Sequence, residues 1–153
     1  MEFEQGVLEI AKEIDFESLG MEFHIYGKGM EEKEIELFCN SNVTPIYFHG
    51  VFQPSEAYEI LSKYDAAIVT LKNRIYGAVP SKMFELIQYE VPILYSGGGE
   101  GNEIIEKYQL GLTCKPGNYK SMNSMFNAFR KWSLEEILDV KRKLKTVKKI
   151  EFD

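Results

Sequence analysis

The residues with the most chemical promise lie in Val79-Pro80-Ser81-Lys82-Met83-Phe84-Glu85-Leu86 and in the glycine run Ser96-Gly97-Gly98-Gly99-Glu100-Gly101. Pro80 and Ser81 suit the opening of a helix. Val91-Pro92-Ile93-Leu94-Tyr95 reads as a buried strand that runs into the glycine turn and then into a second helix. Two helix N-termini would then open at one edge of a sheet. Each offers unpaired N–H groups and the positive end of a dipole, which is what a phosphate or diphosphate seeks. Glu85, one turn into the first helix, is ill placed for phosphate and well placed to accept hydrogen bonds from sugar hydroxyls. The combination suggests a nucleotide-sugar site. Lys28, Lys72, Arg74 and Lys82 fall at the same edge, so a chain of net charge -6 acquires a locally basic rim.

These residues need a scaffold, and the chain supplies a regular alternation of strand and helix. Apolar positions Phe3, Val7, Ile10, Ala11 and Ile14 give a helix over 3–17, followed by a strand at 22–26 that ends at Gly27-Lys28-Gly29. A helix over 31–40, a strand from Pro45 to His49, and a helix started by Pro54-Ser55-Glu56 come next, with Ser55 as its expected cap. Ala66 to Leu71 shows no polar alternation, as a strand buried on both faces requires. Beyond the loop lie helix 81–89, strand 92–95, helix 102–108, strand 111–114, and helices over 119–131 and 134–149. The pattern predicts an α/β fold, a Rossmann-like doubly wound parallel sheet with helices on both faces. The 153 residues make a single domain by length, yet the chain opens on a helix where such a sheet begins on a strand.

Composition narrows the function classes. Hydrophobic residues at 44% and charged residues at 27% exclude disorder. The acidic balance argues against a general nucleic-acid binder. No apolar run approaches the ~20 residues of a membrane span, and the N-terminus lacks a signal peptide's pattern. Cys39 and Cys114 read as two thiols in a reducing cytoplasm, and with only His24 and His49 a histidine-rich metal centre is excluded. The Gly27-Lys28-Gly29 pair lacks the third glycine of a dinucleotide motif, because Glu32 stands there. Asp65 begins its strand, which argues against a phospho-acceptor.

In its ordered motifs the chain resembles the C-terminal, donor-binding half of a GT-B glycosyltransferase, in particular glycosyltransferase family 4. The motifs are Gly27-Lys28-Gly29, Phe48-His49-Gly50-Val51, Tyr64-Asp65-Ala66-Ala67-Ile68-Val69, Val79 to Glu85, Val91-Pro92-Ile93-Leu94, Gly111-Leu112 and Pro116-Gly117-Asn118. The resemblance implies a domain that holds a UDP-sugar or GDP-sugar. Glu85 would bind the ribose hydroxyls, and Ser81 and Lys82 would lie at the diphosphate. Gly98, Gly99 and Glu100 would border phosphates and sugar, with Arg74 and Lys28 as further basic contacts. His49 and Val51 would border the base, although His49 suits simple packing equally. Retaining transfer to an acceptor on an N-terminal domain is implied, without a metal or other cofactor. The setting would be bacterial surface-polysaccharide biosynthesis in the cytoplasm.

Departures from the family pattern matter as much. A glutamate eight positions before Glu85 is usual in the family, but Gly77 stands there. Gln5-Gly6 replaces the usual Lys-Gly, and Tyr89-Glu90 replaces a small-residue turn. The first strand and the acceptor domain are expected to be absent, so the chain alone should not catalyse transfer. An alternative is a non-catalytic nucleotide-binding subunit, or a regulatory α/β interaction module, working with a separate chain. The last helix also carries two readings. Its stripe Ile137, Val140, Leu144 and Val147, backed by Lys141, Arg142, Lys145, Lys148 and Lys149, suits either a packed helix or contact with an anionic membrane surface.

Overall fold

The apolar run Val91 to Ser96 is buried throughout, and the strand it contains is the middle one of a three-stranded parallel sheet. The structure, a computed structural model, describes residues 6–29, 32–41, 45–70 and 81–151. The chain divides into two compact units, Met1–Pro54 and Ser55–Asp153.

The first unit contains α1 (Val7–Glu13), α2 (Phe16–Leu19), β1 (Phe23–Tyr26), α3 (Glu32–Ser41) and β2 (Ile46–Gly50). The single helix expected over 3–17 is thus two short ones, with Asp15 accepting from the Ser18 amide at 3.1 Å to cap α2. Strands β1 and β2 are parallel, with Phe23 opposite Ile46, His24 opposite Tyr47 and Ile25 opposite Phe48. Ile25 and Ile46 are buried, as is Ile35 of α3, which packs on β2. Alternation sends His24, Tyr26, Tyr47 and His49 to the other face.

The second unit opens with a 3-10 turn at Pro54–Glu56 that begins in the first. It continues through α4 (Ala57–Leu61), β3 (Ala67–Thr70), α5 (Ser81–Gln88), β4 (Ile93–Ser96), α6 (Gly99–Tyr108), β5 (Gly111–Cys114), α7 (Tyr119–Phe129) and α8 (Leu134–Glu151). Ser55 does not cap the first helix: it lies inside the 3-10 turn, and Glu56 takes the cap position without a side-chain capping bond to the helix. The order is β3-β4-β5, all parallel, with Thr70 opposite Ser96 and Ile93 opposite Gly111. Gly111 is required by that pairing, since a Cβ there would come within 1.7 Å of the Ile93 carbonyl oxygen. The core joins Val69, Ile93 and Tyr95 of the sheet to Met83 and Ile87 of α5, Ile105 of α6 and Leu144 of α8.

A single sheet was expected, and the described strands pair as two. In the 3-2-1-4-5-6 order of a doubly wound sheet the first strand pairs with the second and fourth. No described residue takes that place, and each set pairs within itself.

Helix α8 packs through its apolar stripe. Val140, Leu144 and Val147 are buried, and the helix packs along α5 and α6. Its apolar stripe is occupied by the core and is not free to enter a membrane. Ser133 and Glu136 open the helix as a capping box: the Glu136 amide donates to Ser133 Oγ at 3.2 Å, and the Ser133 amide donates to Glu136 Oε1 at 3.3 Å. Among the described residues no helix is long and apolar enough to cross a membrane.

Candidate functional site

Strand β4 delivers the glycine run to its C-terminal end, and Tyr95 organises it. Tyr95 is buried, and its hydroxyl donates to the Gly98 carbonyl at 2.9 Å. Burial pushes the phenol up from its ordinary pKa. A Cβ on Gly97 would meet Tyr95 Oη at 2.5 Å, and one on Gly101 would meet Tyr95 Cζ and Oη at 2.6 Å. Gly97 and Gly101 are therefore glycines because Tyr95 fills the space beneath them. The other two glycines answer to a different demand. Gly98 has φ 66 and ψ −165, a region essentially reserved for glycine. Gly99 has φ 64, and a Cβ there would find nothing within 4 Å. The turn thus packs against Tyr95 on one side and opens at Gly99.

Helix α6 begins at Gly99, three residues before the expected start, and no side chain caps it. Its first-turn amides lack the partner that a serine or aspartate would give. Glu100 is exposed in that turn. A Cβ on Gly101 would also lie 3.0 Å from Met83 Cε, so the Met83 side chain of α5 reaches the first turn of α6.

On α5, Met83, Leu86 and Ile87 face the core, and Glu85 is exposed. Among the described residues the Glu85 carboxylate has no hydrogen-bond or ionic partner, which leaves it free to accept from a ligand. Lys82, partly exposed, shares the first turn of the helix. Ser81 opens α5. Arg74, Gly77 and the Val79-Pro80 pair lie outside the described residues, as do Phe3 and Gln5. At the neighbouring strand end, Ser96 Oγ donates to the Lys115 carbonyl at 3.4 Å, and the Lys115 amide donates to Ser121 Oγ at 3.0 Å. Burial pushes the Cys114 thiol up, against a smaller opposing hydrogen bond from Ser96, and burial does the same to Cys39. Both thiols stay protonated at neutral pH.

Three of the sequence-designated residues belong to the first unit. Lys28 is exposed after β1, His49 is exposed at the end of β2, and Val51 just beyond it is 53% exposed. His49 is not isolated. Its Nε2 lies 2.7 Å from His24 Nδ1, and His24 Nε2 lies 2.9 Å from Glu22 Oε1. Tyr47 stacks on His24 and Tyr26 on His49, with Phe52 edge-on to Tyr26. Among the described residues no three His, Cys, Asp or Glu side chains are placed to hold a metal ion. In the Glu22, His24, His49 chain, the two nitrogens of His24 point to opposite partners. Tyr95 and His24 were the residues that sequence reasoning did not single out. An aromatic residue directly before a glycine run was the available signal for the first.

No family profile matches the chain, and no curated protein matches it. Among solved structures it is similar to WaaG, a glycosyltransferase involved in lipopolysaccharide biosynthesis, with a TM-score of 0.71 and 12% identity. The match covers 98% of this chain and 41% of that one, so this chain spans less than half of that length. At such identity the likeness speaks for the fold, which is a Rossmann-like half of a GT-B glycosyltransferase.

Proposed function

We propose that this chain is the donor half of a retaining GT-B glycosyltransferase similar to family 4, and that it binds a UDP-sugar or GDP-sugar. The observation that carries the reading is the likeness to a glycosyltransferase fold over 98% of the chain. Helices that open at Ser81 and at Gly99 agree with it. In this reading the ribose hydroxyls donate to Glu85. The diphosphate lies at the first turns of α5 and α6, against the amides at Ser81, Lys82, Gly98 and Gly99, with Glu100 toward the sugar. As the bond from the sugar to the leaving oxygen breaks, negative charge grows on the diphosphate. Two helix N-termini and a lysine stabilise that charge without the need for a metal. The acceptor belongs to a second domain or subunit, so the chain alone binds donor and transfers nothing. The pathway would be that of a bacterial surface polysaccharide.

The 41% coverage of the similar structure also fits a second reading, a nucleotide-binding subunit that acts with a separate acceptor-binding chain. Both readings require the nucleotide site. Glu85→Ala tests it: because Glu85 is exposed and unpartnered, stability should change by no more than about 0.5 kcal/mol. Binding of UDP or GDP should be abolished. Undiminished affinity in a folded variant refutes the assignment.

A further inference from the structure

The first unit carries a device separate from the base contact that the resemblance implies for His49. On the exposed face of the β1–β2 pair, Glu22, His24 and His49 form a continuous hydrogen-bonded chain, with distances of 2.9 and 2.7 Å. The planes of the two imidazoles differ by only 11° and their centroids lie 5.0 Å apart, compatible with an in-plane N–H···N bond. Tyr47 covers His24 and Tyr26 covers His49, at ring separations of 4.9 and 4.6 Å. His24 belongs to β1 and His49 to β2, so this bond ties the two strands through side chains.

Donor and acceptor counting fixes the protons. An ionised Glu22 can only accept, so His24 Nε2 carries a hydrogen. In neutral His24 the Nδ1 is then an acceptor, and His49 Nε2–H must donate to it. One added proton is tolerated. His24 becomes an imidazolium between a carboxylate and an imidazole, the middle bond reverses direction, and both hydrogen bonds survive. A second proton is not tolerated, because two N–H groups would face each other where one hydrogen bond now stands, and two like charges would adjoin.

We propose that Glu22, His24 and His49 form a pH-sensitive latch across β1 and β2, closed with up to one proton on the imidazole pair and open with two. The latch sits where the strands release their following segments. Beside it the Gly27 amide donates to the Gly50 carbonyl at 2.7 Å, and Phe52 rests edge-on against Tyr26. Among the described residues, the titratable or charged groups set against the pair are Glu22 and Tyr26 from β1 and its approach, with Lys28 beyond its end, and Tyr47 from β2. Helix α3, packed on β2, keeps Lys33, Glu34 and Glu36 exposed. The direction of His49's titration agrees: partial desolvation first, and the neighbouring His24 charge second, hold its pKa below the ordinary 6.5. A lowered folded-state pKa makes the closed form complete above 6.5 and lost as pH falls through the lower value.

Nitrogen-15 NMR of the full chain, titrated from neutral to acid pH, tests this. At neutral pH both rings should show the Nε2–H tautomer. The pair should then titrate in two separate steps. The protection factor of the Gly27 amide should fall with the second step and not the first, by about tenfold for each unit of pKa depression. In His24→Gln, the His49 midpoint should rise toward 6.5 and the acid loss of Gly27 protection should vanish. Two independent titrations with one midpoint in the wild-type chain, or Gly27 protection unchanged through the second step, would overturn the latch. The wild-type titration alone decides if the variant does not fold, and it requires no nucleotide.

Discussion

Gly101→Ala sets two effects of known sign against each other. Gly101 is the third residue of α6, and replacing a helical glycine by alanine stabilises by about 0.5–1 kcal/mol where there is room. Here there is none. The new methyl would sit 2.6 Å from Tyr95 Cζ and Oη, and the ring would have to recede roughly 0.8 Å to reach ordinary contact at 3.4 Å. Tyr95 is buried in strand β4, so its recession disturbs the centre of the sheet. Overpacking of that kind costs about 1–3 kcal/mol. The net expectation is a loss of about 0.5–2 kcal/mol, read by urea denaturation. The same substitution in a Tyr95→Leu background should be neutral or stabilising, because leucine does not reach the clashing positions. The double-mutant cycle isolates that coupling, expected at about 1–3 kcal/mol, from the separate loss of the Tyr95 bond to Gly98. Stabilisation by Gly101→Ala in the wild-type background would refute the reasoning, as would an equal cost in both backgrounds.

Two further outcomes are expected. Ser133→Ala should cost about 1 kcal/mol in denaturant unfolding, because it removes the Oγ half of the capping box at α8, whose Val140 and Leu144 pack in the core. Tyr95 should make stability sensitive to alkali. Its folded-state pKa is raised above 10.0 by burial, so its contribution is complete below 10 and declines as pH rises toward the folded-state value. Unfolding free energies measured across that range should fall more steeply in the wild type than in Tyr95→Phe.

The sheet elements were legible in the sequence because strands of unbroken apolar character and helices of regular period leave plain marks. Strand β4 shows it best: the run from Val91 to Tyr95 reads as buried, and it is the middle strand. Strand β3 read the same way, yet Ala67 and Ile68 are only half-buried; among the described residues β3 pairs with β4 only, at the edge of its sheet. The start of α6 was misplaced since glycine propensity signals a loop, while here two glycines enter the helix, and Tyr95 dictates one of them. The His24–His49 bond could not be read at all. It depends on the parallel register of β1 and β2, and no local pattern fixes the register of strands separated by a helix. Of the site, a helix opening at Ser81 and another following strand β4 were foreseen from Ser81 and the glycine run. The division of that run between packing and opening was not.

The most direct test of the central claim is calorimetric titration of the purified chain with UDP, GDP, ADP and NAD. Saturable binding of UDP or GDP is expected, with the fold stabilised by about 2.7 kcal/mol at 100 times the dissociation constant. Silence from all four nucleotides would contradict it.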